Sequence, residues 1–256
     1  MRHRGGTRWQ PFLLLWLALG TAAASASAGP ATAAYQASAY DNKTAFTTCA
    51  GINTTIPQQL RALAVNGFQF MLYAPSSFES TTFTASKVLS RVANDQGFYV
   101  HSHGDHYYTG WGFREDNGTC NQAIVTANQI MSLRTVAPTT AIKSANVVIA
   151  STCHLGETAS TFPGAFGIEK ARSTADGTNY QGPRFFLGYV GTAWTNDMLA
   201  FETWFWQYVK SGHGLGESFQ LALRNAPMSG LTVPNWWGTY TYSGVPIPSA
   251  PCTRCR

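Results

Sequence analysis

Charged residues are scarce in this chain of 256 residues, in which Lys, Arg, Asp and Glu make up only 11% and aromatic residues 13%. A chain with so few charges and so many aromatic side chains does not have the composition of a disordered protein. Long apolar runs are scarce as well: beyond the first 20 residues, no apolar segment reaches the length of a membrane span. The composition therefore favours a folded domain without a membrane anchor in its main part.

The pronounced apolar run lies in an N-terminal leader. Arg2, Arg4 and Arg8 precede the segment PFLLLWLALG (11–20), and small residues with A-x-A spacing follow at 24–28. This order is typical of a secretory signal peptide, and the apolar run is short for a membrane helix. We therefore predict a signal peptide over residues 1–28 and a secreted or periplasmic protein with no membrane partner once the signal is removed.

The basic balance of the chain belongs largely to this leader. It carries three of the 17 Lys and Arg residues, so the rest has 14 basic against 12 acidic residues and a net charge of +2. Such a small excess gives no reason to expect a nucleic-acid partner. The remaining ~225 residues are enough for one domain with a sizeable core.

The chain has an odd number of cysteines, all beyond the leader: Cys49, Cys120, Cys153, Cys252 and Cys255. An oxidising compartment favours disulfides, and five cysteines leave at least one thiol unpaired. Cys153 ends an apolar, strand-like run, so we expect it to be the free thiol. The pairing of the other four stays open among three possibilities.

Strand-like and helix-like patterns alternate through the middle of the chain. Apolar runs predict strands at 68–73, 97–102, 146–151 and 184–191. Helical spacing predicts helices at 57–65, 84–94, 121–133, 197–210 and 215–225, with polar loops at 112–120 and 154–183. This alternation predicts an α/β fold, three-layer α/β/α with a mostly parallel sheet, over residues 67–226. Residues 29–66 would form an N-terminal extension and residues 227–256 a tail packed on the domain.

The segment His101-Ser-His103-Gly-Asp105-His106 fits two chemistries. Its sequence matches H-x-H-x-D-H, the zinc-binding pattern of metallo-β-lactamase-type hydrolases. In this interpretation His101, His103, Asp105 and His106 would bind zinc. Such a site needs further ligands downstream. The remaining candidates, His154, Asp197 and His213, lie in local contexts that fit this pattern poorly.

The second chemistry pairs His103 with Cys153. Each residue follows directly on a predicted strand, and functional groups in open parallel sheets gather beyond the carboxyl ends of the strands. If these two strands are neighbours, both side chains emerge at the same edge. A thiol, an imidazole and backbone N–H donors are the groups that a cysteine-type acyl transfer needs.

Three blocks in this order, FYVHSHG, NVVIASTCHLG and residues 184–226, resemble caspase-like (clan CD) cysteine peptidases, closest to CHAT-type and gingipain-like domains. The resemblance covers residues 67–226 and implies a caspase-like fold acting on a peptide or protein substrate without a cofactor. It implies His103 as acid/base, Cys153 as nucleophile, and the backbone N–H groups of Gly104 and Cys153 as the oxyanion hole. It also implies that Asp197, near Trp194, binds a basic P1 side chain, so that cleavage would follow Arg or Lys.

Several residues carry open alternatives. The segment His154-Leu155-Gly156-Glu157 departs from the usual sequence after the cysteine, and Glu157 either approaches the pocket as a substrate-binding residue or is a solvated loop acid. We expect His101 to have a structural role on the opposite side of the strand from His103. Asp105 and His106 either orient His103 or cap a loop.

Two further alternatives concern the whole chain. A catalytically idle secreted binding module on the same fold is the non-enzyme alternative to the peptidase. Asn42, Asn53 and Asn117 each begin an N-x-Thr sequence, which accepts glycans only in a host that glycosylates.

Overall fold

The computed structural model describes residues 35–52, 55–78, 82–136, 141–142, 145–168 and 184–238. The strands are β1 (Gln36–Asp41), β2 (Ala74–Ser77), β3 (Gly97–His101), β4 (Gly104–Tyr107), β5 (Gly110–Arg114), β6 (Ile124–Thr126), β7 (Thr135–Val136), β8 (Ala141–Ile142), β9 (Val147–Ser151), β10 (Phe185–Val190) and β11 (Val233–Gly238). The α-helices are α1 (Ile56–Phe70), α2 (Ala85–Val92), α3 (Ala127–Arg134), α4 (Phe162–Ala165), α5 (Thr195–Lys210) and α6 (Leu215–Asn225). A π-helical turn spans Ala45–Cys49.

A six-stranded sheet in the order β11-β10-β9-β3-β1-β2 forms the central layer. The strands are parallel except β11, which pairs antiparallel with β10 at the edge. The strand β9 is buried along its whole length, as its run of apolar β-branched residues, Val147 to Ile149, predicts. The segments β4, β5 and β6 form a separate three-stranded antiparallel sheet.

Helices cover both faces of the central sheet and define two cores. On one face, α1, α5 and α6 pack on residues such as Tyr99 and Ile149. On the other, α2, α3 and α4 pack on alternate residues of the same strands, such as Phe98 and Val148. The predicted three-layer α/β/α arrangement with a mostly parallel sheet is therefore confirmed.

The N-terminal part of the described chain differs from the sequence prediction. The segment expected to be an extension supplies β1, which lies inside the sheet between β3 and β2. The predicted strand at 68–73 is wrong, because α1 continues to Phe70. Leu60, Ala64 and Phe68 are fully buried at a spacing of four, and this helical period continues through the apolar run.

The predicted polar loop at 112–120 also differs from the structure. A hairpin of β4 and β5 follows β3 directly, and β6 pairs with β5 before α3 begins. Thr126 and Gln129 form a reciprocal capping box at the start of α3, so the predicted helix at 121–133 begins later than its apolar pattern indicates.

Two cysteines form a disulfide in this structure. Cys49 is bonded to Cys120, and among the described cysteines Cys153 is the free thiol. This fits the oxidising, extracellular or periplasmic location expected for the protein. Cys252 and Cys255, the signal peptide, Asn53 and the end of the C-terminal tail lie outside the described residues. None of the helices within the described ranges is long and apolar enough to cross a membrane.

Asn42, one of the N-x-Thr asparagines, is fully buried at the end of β1. Its amide nitrogen donates to the backbone oxygen of Glu115 (2.7 Å) and to the Gln122 side chain (3.0 Å), and its side-chain oxygen accepts from the backbone N–H of Ala45 (3.0 Å). The Asn42 side chain therefore joins β1 to the loop that carries Cys120.

Candidate active site

Neighbouring strands bring His103 and Cys153 to one edge of the sheet. The strands β3 and β9 pair in parallel, with His101 opposite Ser151. His103 and Cys153 each lie two residues beyond this last pair. The sequence prediction that they share an edge depended on β3 and β9 being neighbours, which the structure confirms.

A pocket of about 430 Å³ opens at this edge. Its lining combines the free thiol, two imidazoles, a guanidinium and a carboxylate, contributed by the ends of β3 and β9 and by the β4–β5 hairpin: His103, Gly104, Asp105, Tyr107, Arg114, Cys153 and His154. A pocket with several convergent polar groups beside a thiol is the usual form of a small catalytic or binding site.

The thiol of Cys153 contacts the backbone of Ala193. The Ala193 N–H donates to Sγ at 3.4 Å, and Sγ lies 3.7 Å from the Ala193 carbonyl oxygen. Burial raises the pKa of the Cys153 thiol, and the hydrogen bond from Ala193 opposes this rise. Since β10 ends just before Ala193, a third strand of the sheet contributes to the environment of the sulfur.

Gly104 makes the close contact between the histidine segment and the cysteine segment. A Cβ atom at this position would lie 2.7 Å from the carbonyl oxygen of Cys153 and 2.8 Å from the Thr152 side chain. Such distances are too short for real carbon atoms, so only glycine fits here without a shift of the backbone. The fit explains why the histidine is followed by glycine.

The His103 ring is partly buried against Phe46. The two ring centroids are 4.6 Å apart, and Phe46 itself is buried in the π-helical turn three residues before Cys49. Burial lowers the pKa of His103, and the positive charge of Arg114 lowers it further. His103 is therefore a neutral imidazole at neutral pH, able to accept a proton.

His101 is fully buried, as expected for a structural residue. Its Nδ1 atom lies 2.9 Å from the Ser151 carbonyl oxygen, and burial lowers its pKa to about 3. The prediction that it points to the opposite side of the strand from His103 is wrong. Residues two apart on a strand face the same way, and both imidazoles pack against Phe46.

The four residues of the zinc pattern do not form a metal site. His101 is buried and held by Ser151, whereas the His106 ring packs against Trp111 at 4.9 Å. Among the residues that the structure describes, no three His, Cys, Asp or Glu side chains are grouped closely enough to hold a metal ion. The four side chains are of types that bind zinc, but their placement in this structure does not match a zinc site.

Asp105 and His106 lie within β4 rather than in a loop. The Asp105 carboxylate accepts a hydrogen bond from the backbone N–H of His106 at 2.7 Å. Asp105 lines the pocket from an exposed position on β4, where its charge disfavours the Cys153 thiolate. We assign neither residue the role of orienting His103.

Glu157 is held close to the cysteine segment. Its carboxylate lies 2.5 Å from Nδ1 of His154 and accepts from the Gly191 N–H at 3.2 Å. His154 itself has a positive φ of 63°, a conformation that is uncommon outside glycine. Glu157 therefore fixes the strained turn that directly follows Cys153, and it is not among the residues that line the pocket.

Trp194 and Asp197, the neighbouring residues predicted to bind substrate, differ in their exposure. Trp194 is 58% exposed and follows Ala193, which touches the thiol. Asp197 is buried at the start of α5, and its two carboxylate oxygens accept from the backbone N–H (2.9 Å) and the hydroxyl (2.5 Å) of Ser229. Burial would raise the pKa of Asp197, but the Ser229 hydrogen bonds outweigh it and hold the pKa below its usual range. Asp197 does not line the pocket.

A second buried carboxylate, Glu202 on α5, lies beneath the same edge. It is fully buried and accepts a hydrogen bond from the Tyr189 hydroxyl at 3.0 Å. Burial raises its pKa to about 7, although hydrogen bonds from Ser151 and Tyr189 act in the opposite direction. Since Ser151 is two residues before Cys153, this carboxylate supports the end of β9.

Three parts of the site were not predicted from the sequence: the Ala193 backbone, Phe46 and Arg114. Ala193 contacts Cys153 and Phe46 contacts His103, and each contact joins segments far apart in the chain. No local sequence pattern predicts such contacts. Arg114 could have been found, because the Gly110 turn and the aromatic residues before it are signals of a hairpin returning towards His103.

Comparisons of the sequence with protein-family models and with curated proteins found no match. The arguments for a function therefore come from the geometry of the pocket and from the chemistry of its residues.

Proposed function

We propose that this protein is a secreted cysteine endopeptidase of caspase-like type, with a Cys153/His103 dyad. The observation that carries the proposal is the parallel pairing of β3 with β9, which sets His103 and Cys153 two residues beyond one register pair and in the lining of one pocket. The contact of Gly104 with the Cys153 backbone supports the same assignment, because it joins the two segments directly.

The chemistry proceeds through a thioester. The Cys153 sulfur attacks the carbonyl carbon of the scissile amide while His103 accepts the thiol proton. His103 then passes this proton to the leaving amine as the C–N bond breaks. Water attacks the resulting thioester, releases the carboxylic acid and restores the thiol. The backbone N–H groups of Gly104 and Cys153 are the proposed donors to the oxyanion.

The resting dyad is neutral in this proposal. The pKa of Cys153 is raised and that of His103 is lowered, both chiefly by burial. A neutral thiol beside a neutral imidazole needs proton transfer during the attack, as with a general base, rather than a preformed thiolate–imidazolium pair. A bound substrate would exclude water from the pocket and add hydrogen bonds around the thiol and the imidazole, and proton transfer would take place in that environment.

The test combines thiol labelling with peptide cleavage. Four forms of the full secreted chain are compared: wild type, Cys153→Ala, His103→Ala and the control His213→Ala. Each is treated with an iodoacetamide probe and, separately, with an internally quenched peptide library. His213 lies in the turn before α6, beside Glu217 at 3.2 Å. We expect labelling at Cys153, and cleavage that both dyad variants abolish and His213→Ala preserves.

Other results would identify the two alternatives. Cleavage that survives Cys153→Ala but is lost on chelation, with stoichiometric zinc in the purified protein, would overturn the peptidase in favour of a zinc hydrolase. A Cys153 that labels readily, in a protein that cleaves no peptide of the library, would indicate the idle binding module. Cleavage after Arg or Lys, the other prediction from the resemblance, is measured by the same library.

A further inference from the structure

Arg114 places a positive charge in the same pocket as the thiol. It is the last residue of β5 and lines the pocket with His103 and Cys153. Its guanidinium carbon lies 5.7 Å from the centre of the Tyr107 ring, another pocket residue. The contact orients the planar guanidinium within the pocket, since arginine stacks readily on aromatic faces.

Arg114 forms no ion pair with an acidic residue in the described part of the chain. The ion pairs found there join other residues. Asp105, the acidic residue of the lining, is exposed on β4 and accepts from its own neighbour His106. Arg114 instead acts on groups of the pocket. Burial lowers the pKa of His103 and the charge of Arg114 lowers it further, whereas burial raises the pKa of Tyr107 and Arg114 opposes that rise. A guanidinium that faces a pocket in this way offers paired N–H donors to a carboxylate.

Asp197, the acid predicted to bind a basic side chain of the substrate, does not place a negative charge in this pocket. Asp197 is outside the lining, and Ser229 takes both of its carboxylate oxygens. The half-buried cation beside the thiol is thus Arg114, while the carboxylate of the lining is at the exposed rim. This arrangement favours a negatively charged group on the substrate.

We propose that Arg114 is a specificity-determining residue that binds a carboxylate of the substrate beside Cys153. The assignment rests on the proposed peptidase for its biological meaning, but the anion site can be tested without any peptidase activity. The carboxylate comes either from an acidic side chain near the scissile bond or from the C-terminus of a short peptide.

The first test uses two alkylating reagents that differ in charge. Iodoacetate carries a carboxylate and iodoacetamide is its neutral counterpart, and both transfer their CH₂ carbon to the Cys153 thiolate with release of iodide. The ratio of the two rates at Cys153 is measured by mass spectrometry of the labelled peptide. Any change in the reactivity of the thiol itself affects both reagents alike and cancels in the ratio.

The variants separate charge from geometry. Arg114→Gln removes the charge, Arg114→Lys keeps it without the planar fork, and Arg224→Gln removes an exposed arginine on α6. Besides the contact of its guanidinium with Tyr107, Arg114 is held in the hairpin through its backbone: its N–H donates to the His103 oxygen at 3.0 Å and its oxygen accepts from Ser102 at 2.6 Å. The substitutions therefore leave the hairpin in place.

We expect the iodoacetate-to-iodoacetamide ratio to fall about tenfold in Arg114→Gln, which is the size of one charge-assisted hydrogen bond. Arg114→Lys should give an intermediate ratio, and Arg224→Gln should match the wild type. An unchanged ratio in Arg114→Gln overturns the proposal, whatever the peptidase assay shows.

The second test identifies the source of the carboxylate. One peptide series has Asp or Glu at each position around a cleavable bond and an amidated C-terminus, and the other has neutral side chains and a free C-terminal carboxylate. Preference for the first series, lost in Arg114→Gln, assigns an acidic side chain; preference for the second assigns the C-terminus. Equal cleavage of both series and of fully neutral peptides, with no response to Arg114→Gln, counts against the assignment. Absence of all cleavage with a retained reagent preference would refute the peptidase alone.

Discussion

Gly104 and the backbone of Cys153 touch so closely that a Cβ atom on Gly104 would lie 2.7 Å from the Cys153 carbonyl oxygen. This contact is the point at which the histidine segment and the cysteine segment meet. The relative position of the two reactive side chains therefore depends on the absence of a single methyl group.

The substitution Gly104→Ala should separate these segments. We expect a loss of about 1–3 kcal/mol in the free energy of unfolding, typical of overpacking, together with loss of peptide cleavage. Gly164→Ala is the matched control, because a Cβ at Gly164 meets no atom within 4 Å. Urea unfolding and cleavage rates of the two variants check the expectation, and a fully active Gly104→Ala would contradict the assigned geometry.

Phe46 packs against the His103 ring, so in the proposed peptidase we expect it to position His103 rather than to act as a catalytic residue. The substitution Phe46→Leu keeps an apolar side chain but removes the ring that packs 4.6 Å from the imidazole. We expect kcat to fall while KM changes little, because Phe46 is not among the residues that line the pocket. Phe68→Leu, a buried substitution in the α1 core, is the control for stability alone. If the two variants lose stability equally and kcat equally, the positioning role is wrong.

The pH dependence of thiol alkylation tests whether the resting dyad is neutral. Burial raises the pKa of Cys153 and lowers that of His103. The rate of reaction with iodoacetamide should therefore continue to rise above about pH 8.5, the midpoint of an ordinary thiol. A plateau reached by about pH 6 would instead reveal a thiolate–imidazolium pair.

Asp197 distinguishes a structural role from a role in specificity. Its carboxylate accepts both hydrogen bonds from Ser229, so Asp197→Asn should cost about 1–3 kcal/mol in the free energy of unfolding. Because the folded pKa is lowered, this stabilisation is present at neutral pH and is lost as the pH falls below the ordinary aspartate value. Ser229→Ala should reproduce part of the loss. A selective loss of cleavage after Arg or Lys in Asp197→Asn would support the basic P1 prediction instead.

Glu202 should make stability depend on pH in the opposite sense. Its pKa rises from the usual 4.5 to about 7 in the folded protein, so the folded state binds more protons than the unfolded state between these values. Stability from this group is fully present below pH 4.5 and is lost as the pH rises through about 7. We expect Glu202→Gln to remove that component. The stability of the variant relative to the wild type should therefore increase from about pH 5 to about pH 8, the range over which the wild-type carboxyl ionises in the unfolded and then in the folded state. Chemical unfolding at a series of pH values measures the difference.

The strands that carry His103 and Cys153 were predictable because their sequences are extreme. NVVIAS contains three successive β-branched apolar residues, Val147, Val148 and Ile149, a run that is typical of a strand buried on both faces. The strand β1 is different, since three of its buried residues, Ala37, Ser38 and Ala39, are small and carry little signal. Their size follows from the packing: a Cβ on Gly97 of the neighbouring strand would lie 2.7 Å from the Cβ of Ala37. A local pattern cannot report such a tertiary requirement.

The residues of the candidate site likewise include some that the sequence predicts and some that it does not. His103, Gly104 and Cys153 follow predicted strands directly, so the rule for carboxyl ends of parallel strands finds them. Arg114 reaches the pocket through a hairpin, whereas Phe46 in the π-helical turn contacts His103 and the Ala193 backbone beyond β10 contacts Cys153. Asp197 shows the converse, because its position near Trp194 indicated a pocket residue, whereas the partner that determines its role, Ser229, lies 32 residues further along the chain.

The burial of Asn42 has a consequence for producing the protein. Oligosaccharide transfer in a eukaryotic secretory pathway acts on the chain as it emerges, before Asn42 has found Glu115, Gln122 and Ala45. A sugar attached at that moment would occupy the nitrogen that donates to Glu115 and Gln122, and β1 could not close against the Cys120 loop. Bacterial periplasmic export, or an Asn42-Lys-Thr sequence disarmed by Thr44→Ala, should therefore give a larger yield of folded protein than unmodified expression in a glycosylating host.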